Sequence, residues 1–183
     1  LLFVPQAILN KPDNQSYLKE AFGIEEKVLP KASTMYAYAA ISVADIFIGF
    51  VSHWLRSRKK ALYIFYGITL GGIILFFSQS KGTANQMYAI CALLGFGTGF
   101  WAIFVTMAAE QFGTNLRATA ATTVPNMVRG ALPLLLMLFN GLQLHFSYTQ
   151  AAFITGMGVM VISILAAYFS EETYGKDLHY YEV

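Results

Sequence analysis

Residues 107–130, MAAEQFGTNLRATAATTVPNMVRG, decide how the rest of the chain is read. They join the end of one long apolar segment to the start of another. Glu110 and Arg117 stand on either side of a short loop, and Arg129 is carried well into the next apolar run. A charge inside a membrane span is costly and usually functional. Whether the flanking segments cross a membrane is therefore the first thing to settle.

Composition points to a membrane. Hydrophobic residues make up 56% of the chain, aromatics 15% and charged residues 12%, where a soluble domain carries roughly 25% charged residues. The net charge of +2 is too small to imply a nucleic-acid partner, and no basic face interleaved with aromatics is present. The single Cys91 lies in an apolar run and supports neither a disulfide framework nor a metal cluster. His53, His145 and His179 fall at segment ends or in loops, without metal-ligand spacing.

Outward from the opening stretch, five apolar segments cover residues 32–55, 61–80, 86–111, 118–142 and 149–170. Each is near or above the roughly 20 residues a spanning helix needs. Short connections make neighbours antiparallel, and no strand-like alternation is sustained, so the expected fold is an all-α polytopic transmembrane bundle. Residues 1–10 are too short to span and read as the trailing end of a helix that begins elsewhere, so the chain is expected to be a piece of a longer one. Residues 11–31 are polar, with Pro12, Asp13, Asn14 and Gln15 marking a loop and residues 17–28 expected to form a short surface helix. The organisation is thus 1–31, helix end and external loop; 32–170, the bundle; 171–183, a tail.

Arg56, Arg58, Lys59 and Lys60 place four cations in one five-residue connection, which favours the cytoplasmic side. Lys11, Lys19, Lys27 and Lys31 fall on the other side, mixed with Asp13, Glu20, Glu25 and Glu26, and the denser loop is taken as decisive. The 111–117 loop and the tail then lie in the cytoplasm as well. Asp45 and Arg129 are expected roughly 15–18 Å inside, near the middle of a hydrocarbon core about 30 Å thick. Each lies on a stripe: Tyr38, Ser42, Asp45, Gly49 and Ser52 recur at steps of four and three, as do Thr119, Thr122, Asn126, Arg129 and Pro133. Such steps share one helix face, and a polar face in a membrane must look at protein or water. Pro125 and Pro133 are expected to distort the fourth segment, which is tolerated where a helix lines a cavity.

The second and fifth segments carry no charge over residues 61–78 and 151–170 and read as lipid-facing supports. The third holds Gly95, Gly97 and Gly99, then Trp101; Gly95 and Gly99 permit close helix packing. They are no nucleotide fingerprint, because no strand precedes them. The order is polar-lined, apolar, glycine-rich, polar-lined, apolar. With one more helix in front it becomes two units of three, with Asp45 and Arg129 on corresponding helices, as in inverted-repeat transporters.

These residues carry a family resemblance. Glu110-Gln-Phe-Gly-Thr-Asn-Leu-Arg117-Ala-Thr-Ala resembles the link between helices ten and eleven of the major facilitator superfamily. Residues 49–59, GFVSHWLRSRK, resemble its loop between helices eight and nine, with His53 and Trp54 standing where Asp and Arg are usual. The tail Glu171-Glu172-Thr173-Tyr174-Gly175-Lys176-Asp177-Leu178 is similar to the Pro-Glu-Thr-x-Gly-Lys-x-Leu ending of sugar-porter-like members, with Glu171 in place of Pro. The whole is similar to the carboxyl-terminal half of such a transporter, five full helices plus the end of a sixth, and most resembles bacterial permeases.

The resemblance implies alternating access around a midplane site in the bacterial inner membrane, with the C-terminus cytoplasmic. The partners implied are a small-molecule substrate, the lipid bilayer and an amino-terminal six-helix half; no cofactor is implied beyond a proton or sodium gradient. Asp45, Arg129, Asn126, Thr122, Tyr38 and Trp101 are the candidate substrate and coupling residues. Glu110, Arg117 and Arg58 are the candidate cytoplasmic gate.

Each role has a plainer rival. Arg129 makes either a substrate or coupling contact or a structural ion pair or carbonyl contact; Asp45 either carries a proton, pairs with Arg129 or another cation, or bonds to a neighbouring helix. Glu110 and Arg117 form either a gate or a static salt bridge, and Trp101 either stacks on substrate or packs. The expected function is proton-coupled symport of a small polar organic solute, a sugar or an organic anion. A non-transporting half-transporter is the alternative. A membrane enzyme would need a nucleophile with its base at membrane depth, and neither His53 nor His145 lies there.

Overall fold

The structure, a computed structural model, describes residues 8–9, 13–79 and 82–176. Outside them fall the helix end expected over residues 1–10, apart from Ile8 and Leu9, with Lys11, Pro12, Ser80 and the tail residues Asp177, Leu178 and His179. The fold is all-helical, and no strand occurs among the described residues. A short helix α1 (Asn14–Phe22) precedes α2 (Pro30–Leu55), α3 (Arg58–Phe77), α4 (Ala84–Thr98), α5 (Trp101–Glu110), α6 (Arg117–Gly130), α7 (Leu132–Leu142) and α8 (Tyr148–Phe169). With α4–α5 and α6–α7 each taken as one interrupted span, five stretches are long and apolar enough to cross a membrane.

Local chemistry sets the ends. Pro30 opens α2, where its missing N–H costs nothing. The helix closes on Arg56 in the left-handed region (φ 48°). Ser57 then caps α3, its Oγ accepting from the Lys60 N–H at 3.1 Å. Arg58, Lys59 and Lys60, read from sequence as loop, thus form the first turn of α3. Thr83 with Gln86 and Ser147 with Gln150 form reciprocal caps at the starts of α4 and α8.

The segment expected as a surface helix over 17–28 differs in place and exposure. It is α1, ended by Gly23 in the left-handed region (φ 64°). Leu18, Phe22, Ile24 and Val28 are buried, and Phe22 meets Phe76 of α3 edge-on at 5.5 Å. The Glu26 carboxylate accepts the Ala84 N–H at 2.7 Å, so this connector ties onto the start of α4.

Glycines seat α4 between α2 and α3. A Cβ on Gly95 would stand 2.2 Å from the Ala37 carbonyl oxygen, and one on Gly99 would stand 2.3 Å from the Ala44 Cβ. Gly97 faces the other way, where a Cβ would lie 2.6 Å from Thr69 Oγ1 of α3. The expected close packing of Gly95 and Gly99 is therefore made with the first span.

The second span is not simply a lipid-facing support. Phe65, Tyr66, Thr69, Ile73 and Phe76 are buried as α3 packs on α2, α4, α5 and α8, leaving Ile64, Ile74 and Leu75 as its exposed large apolar residues. A helix without charge beyond its first turn suits a bundle interior as well as lipid, so its composition does not discriminate. The fifth span, α8, does keep an exposed apolar face at Ile162, Leu165 and Phe169.

Candidate functional site

The stripe on the fourth span is exposed, and the stripe on α2 is exposed over most of its length. On α2, Tyr38, Ser42 and Gly49 are exposed and Asp45 is half-buried, while Ser52 is buried. Ala37, Ala44 and Ile48 form the buried seam of the same helix, and Val43, Ile46 and Phe50 form a separate exposed apolar face. On the fourth span Thr119, Thr122, Asn126, Arg129 and Pro133 are all exposed. The Thr122 hydroxyl turns back to the carbonyls of Ala118 and Thr119, at 3.2 and 3.0 Å.

The two stripes meet the third span at its interruption. The helix stops at Thr98 and restarts at Trp101, leaving the first N–H groups of α5 outside a helical ladder. Asp45 Oδ1 accepts one of them, from Ala102, at 3.3 Å. The Arg129 guanidinium lies over the Trp101 ring, 5.2 Å from its centroid. Adjacent residues of one helix end therefore receive an acid from α2 and a cation from α6, at the same level of the bundle. Asp45, Arg129 and Trp101 are thus brought together; Thr122 and Asn126 lie along the Arg129 stripe, and Tyr38 along that of Asp45. The fourth span is also interrupted, at Ala131 just before Pro133, with Pro125 inside α6.

The expected gate residues gather at one end of the bundle. Arg58 grips Glu110 through two bonds, Nη2 to Oε1 at 2.7 Å and Nε to Oε2 at 3.2 Å. The Thr173 hydroxyl donates to Glu110 Oε2 at 2.6 Å, and Glu110 and Thr173 are both buried. Arg117 donates from Nη2 to the Phe112 carbonyl at 3.3 Å. Tyr174 places its ring 5.7 Å from the Arg58 guanidinium and its hydroxyl 3.3 Å from His53 Nδ1.

Glu172 completes this end. Its carboxylate accepts from the Ser57 hydroxyl and from the backbone N–H groups of Arg58 and Lys59, the latter at 2.9 and 3.2 Å. Burial alone would raise its pKa; the bonds from Ser57 and from the N–H groups of Tyr174, Arg58 and Lys59 outweigh that and hold it below the usual carboxylate value. Arg58, Lys59 and Lys60 crowd cations at the positive end of α3, and Glu172 offsets this unfavourable placing. Lys59 Nζ in turn donates to the Tyr168 and Ser170 carbonyls at the last turn of α8, at 3.0 and 2.7 Å.

Glu172, Thr173 and Ser57 join this cluster in addition to the residues expected from sequence. The signal was present in the quoted tail motif, but not which helix end the tail returns to. Among the described residues no three His, Cys, Asp or Glu side chains gather as metal ligands. Compared with protein-family models, with curated proteins and with solved structures, the chain matches none.

Proposed function

We propose that the chain is the carboxyl-terminal half of a major facilitator superfamily transporter, a bacterial inner-membrane permease with its C-terminus cytoplasmic. It moves a small polar organic solute, a sugar or an organic anion, by alternating access with proton symport. The observation that supports this best is the meeting of Asp45 and Arg129 on adjacent residues, Ala102 and Trp101, at the break of an apolar span. Interrupted helices at membrane depth are tolerated where they are buried in protein or line a water-filled cavity, and half-helix ends there commonly bind substrate or ion.

The exposed stripes of α2 and α6 suit a partner surface, an amino-terminal six-helix half facing them across a wet cleft. The tie of Arg58 to Glu110 and Thr173 suits a cytoplasmic gate that is closed in this conformation. In full-length protein reconstituted into vesicles, Arg129→Ala abolishes uptake while insertion stays normal. Asp45→Asn abolishes proton-driven accumulation and spares exchange. Undiminished uptake by Arg129→Ala, or accumulation persisting in Asp45→Asn, would contradict these roles. The alternative, a non-transporting membrane module, rests on the same gate tie read as a static clamp, and absence of any uptake would favour it.

A further inference from the structure

Arg129 is an exposed cation within a membrane-spanning stretch, and no ion pair among the described residues includes it. Its guanidinium carbon lies 5.2 Å from the Trp101 ring centroid, and no hydrogen bond or ion pair among the described residues engages the N–H edge of its fork. That edge is the part of an arginine that binds a carboxylate bidentately. Asp45, the acid at the same level, directs Oδ1 to the Ala102 N–H instead.

We infer that Arg129, lying on Trp101, is the seat of a small organic carboxylate, which binds together with a proton carried by Asp45. This rests on the transport reading and names its substrate class: a sugar would leave the guanidinium unneutralised at membrane depth, and a carboxylate neutralises it.

The charges around Asp45 make the coupling direct. Of the elements packed on α2, α3 carries its charged residues Arg58, Lys59 and Lys60 in its first turn. α4 carries no charged residue, and α5 only Glu110 at its far end. The other titratable groups on those elements include Tyr66, edge-on to Phe100 at 5.2 Å, and the buried Cys91. Arg129 is thus the cation at Asp45's level among the described residues. A carboxylate seated there is repelled by an ionised Asp45 and not by a protonated one. Anion and proton therefore favour each other's binding, reciprocally.

Titration calorimetry of the full-length protein in detergent, with acetate, pyruvate, benzoate and glucose as probes, tests this. A carboxylate binds saturably and glucose does not, and the carboxylate binds more tightly as pH falls, by about 5–150-fold in all. Arg129→Gln loses the binding, and Arg129→Lys, which keeps the charge without the fork, weakens it at least about tenfold. Asp45→Asn binds with no pH dependence. No carboxylate bound, glucose bound through Arg129, or undiminished binding in a folded Arg129→Gln protein overturns the proposal. A carboxylate that binds but is never transported keeps this site and sinks the transport reading. A transported sugar with no carboxylate bound does the reverse.

Discussion

Arg58 and Glu110 face each other as a two-bonded pair, 2.7 and 3.2 Å, with the two side chains only 23% and 11% exposed. A pair this sheltered is costly to break one-sidedly, because the remaining charge keeps its burial and loses its partner. Arg58→Ala is expected to lower stability by about 3 kcal/mol. Thr173→Val, which removes one neutral donor from Glu110, is expected to cost about 1 kcal/mol. Because Arg58 and Thr173 share Glu110, the double variant should lose less than the sum. Thermal melting of the four proteins checks this; strict additivity would show that the three side chains do not act as one network.

Glu172 gives this end an acid-sensitive tie. Its pKa is lowered by the fold, so its contribution is present above the ordinary carboxylate value and is lost as pH falls through its lowered value. The group is largely solvent-exposed, so the effect is modest, about 0.5–1 kcal/mol as for a helix-end carboxylate. Glu172→Gln should lower the melting temperature at neutral pH and flatten the acid limb of the stability profile. An unchanged acid limb would remove Glu172 from the tie.

The glycines of α4 are not equivalent to those elsewhere. Gly95→Ala puts a methyl 2.2 Å from the Ala37 carbonyl oxygen, so α2 and α4 must separate. The expected cost is about 2 kcal/mol or more. Gly67→Ala, with nothing within 4 Å, should instead gain up to about 1 kcal/mol of helix propensity. Parallel melts of the two variants decide; equal effects would mean that α4 is not seated on Gly95.

Arg56 holds a left-handed conformation at φ 48°. Such a conformation costs a residue with a Cβ roughly 1–2 kcal/mol and costs glycine nothing. Arg56→Gly is therefore expected to raise stability by about 1 kcal/mol, measured by melting against Arg56→Ala, which gains nothing. A destabilised Arg56→Gly would show that the guanidinium contributes more than the backbone strain removes.

The spans were legible because burying a helix in lipid demands a long apolar run, and five such runs are plain. The stripes were legible for the same reason inverted: Asp45 and Arg129 stand out against apolar surroundings. The distortion of the fourth span was legible in Pro133. The break after Thr98 was not, since residues on both sides are apolar and the interruption accompanies Gly99 lying against Ala44 and Ile41 of α2. Nor was the Glu172 tie, which joins residues 115 positions apart and depends on where the tail folds back. Nor was the extent to which the second span packs on its neighbours, because absence of charge is shared by interior and lipid-facing helices.

In the proposed transporter the Asp45 and Arg129 stripes look onto water at mid-membrane. The most direct measurement is cysteine scanning of the full-length protein in membranes, in a Cys91→Ala background, with a membrane-impermeant thiol reagent. Thr122→Cys, Asn126→Cys and Arg129→Cys should react, whereas Met127→Cys, Leu134→Cys and Leu138→Cys, at exposed apolar positions of the same span, should not. Labelling of the apolar positions with the polar stripe left unreacted would contradict the account.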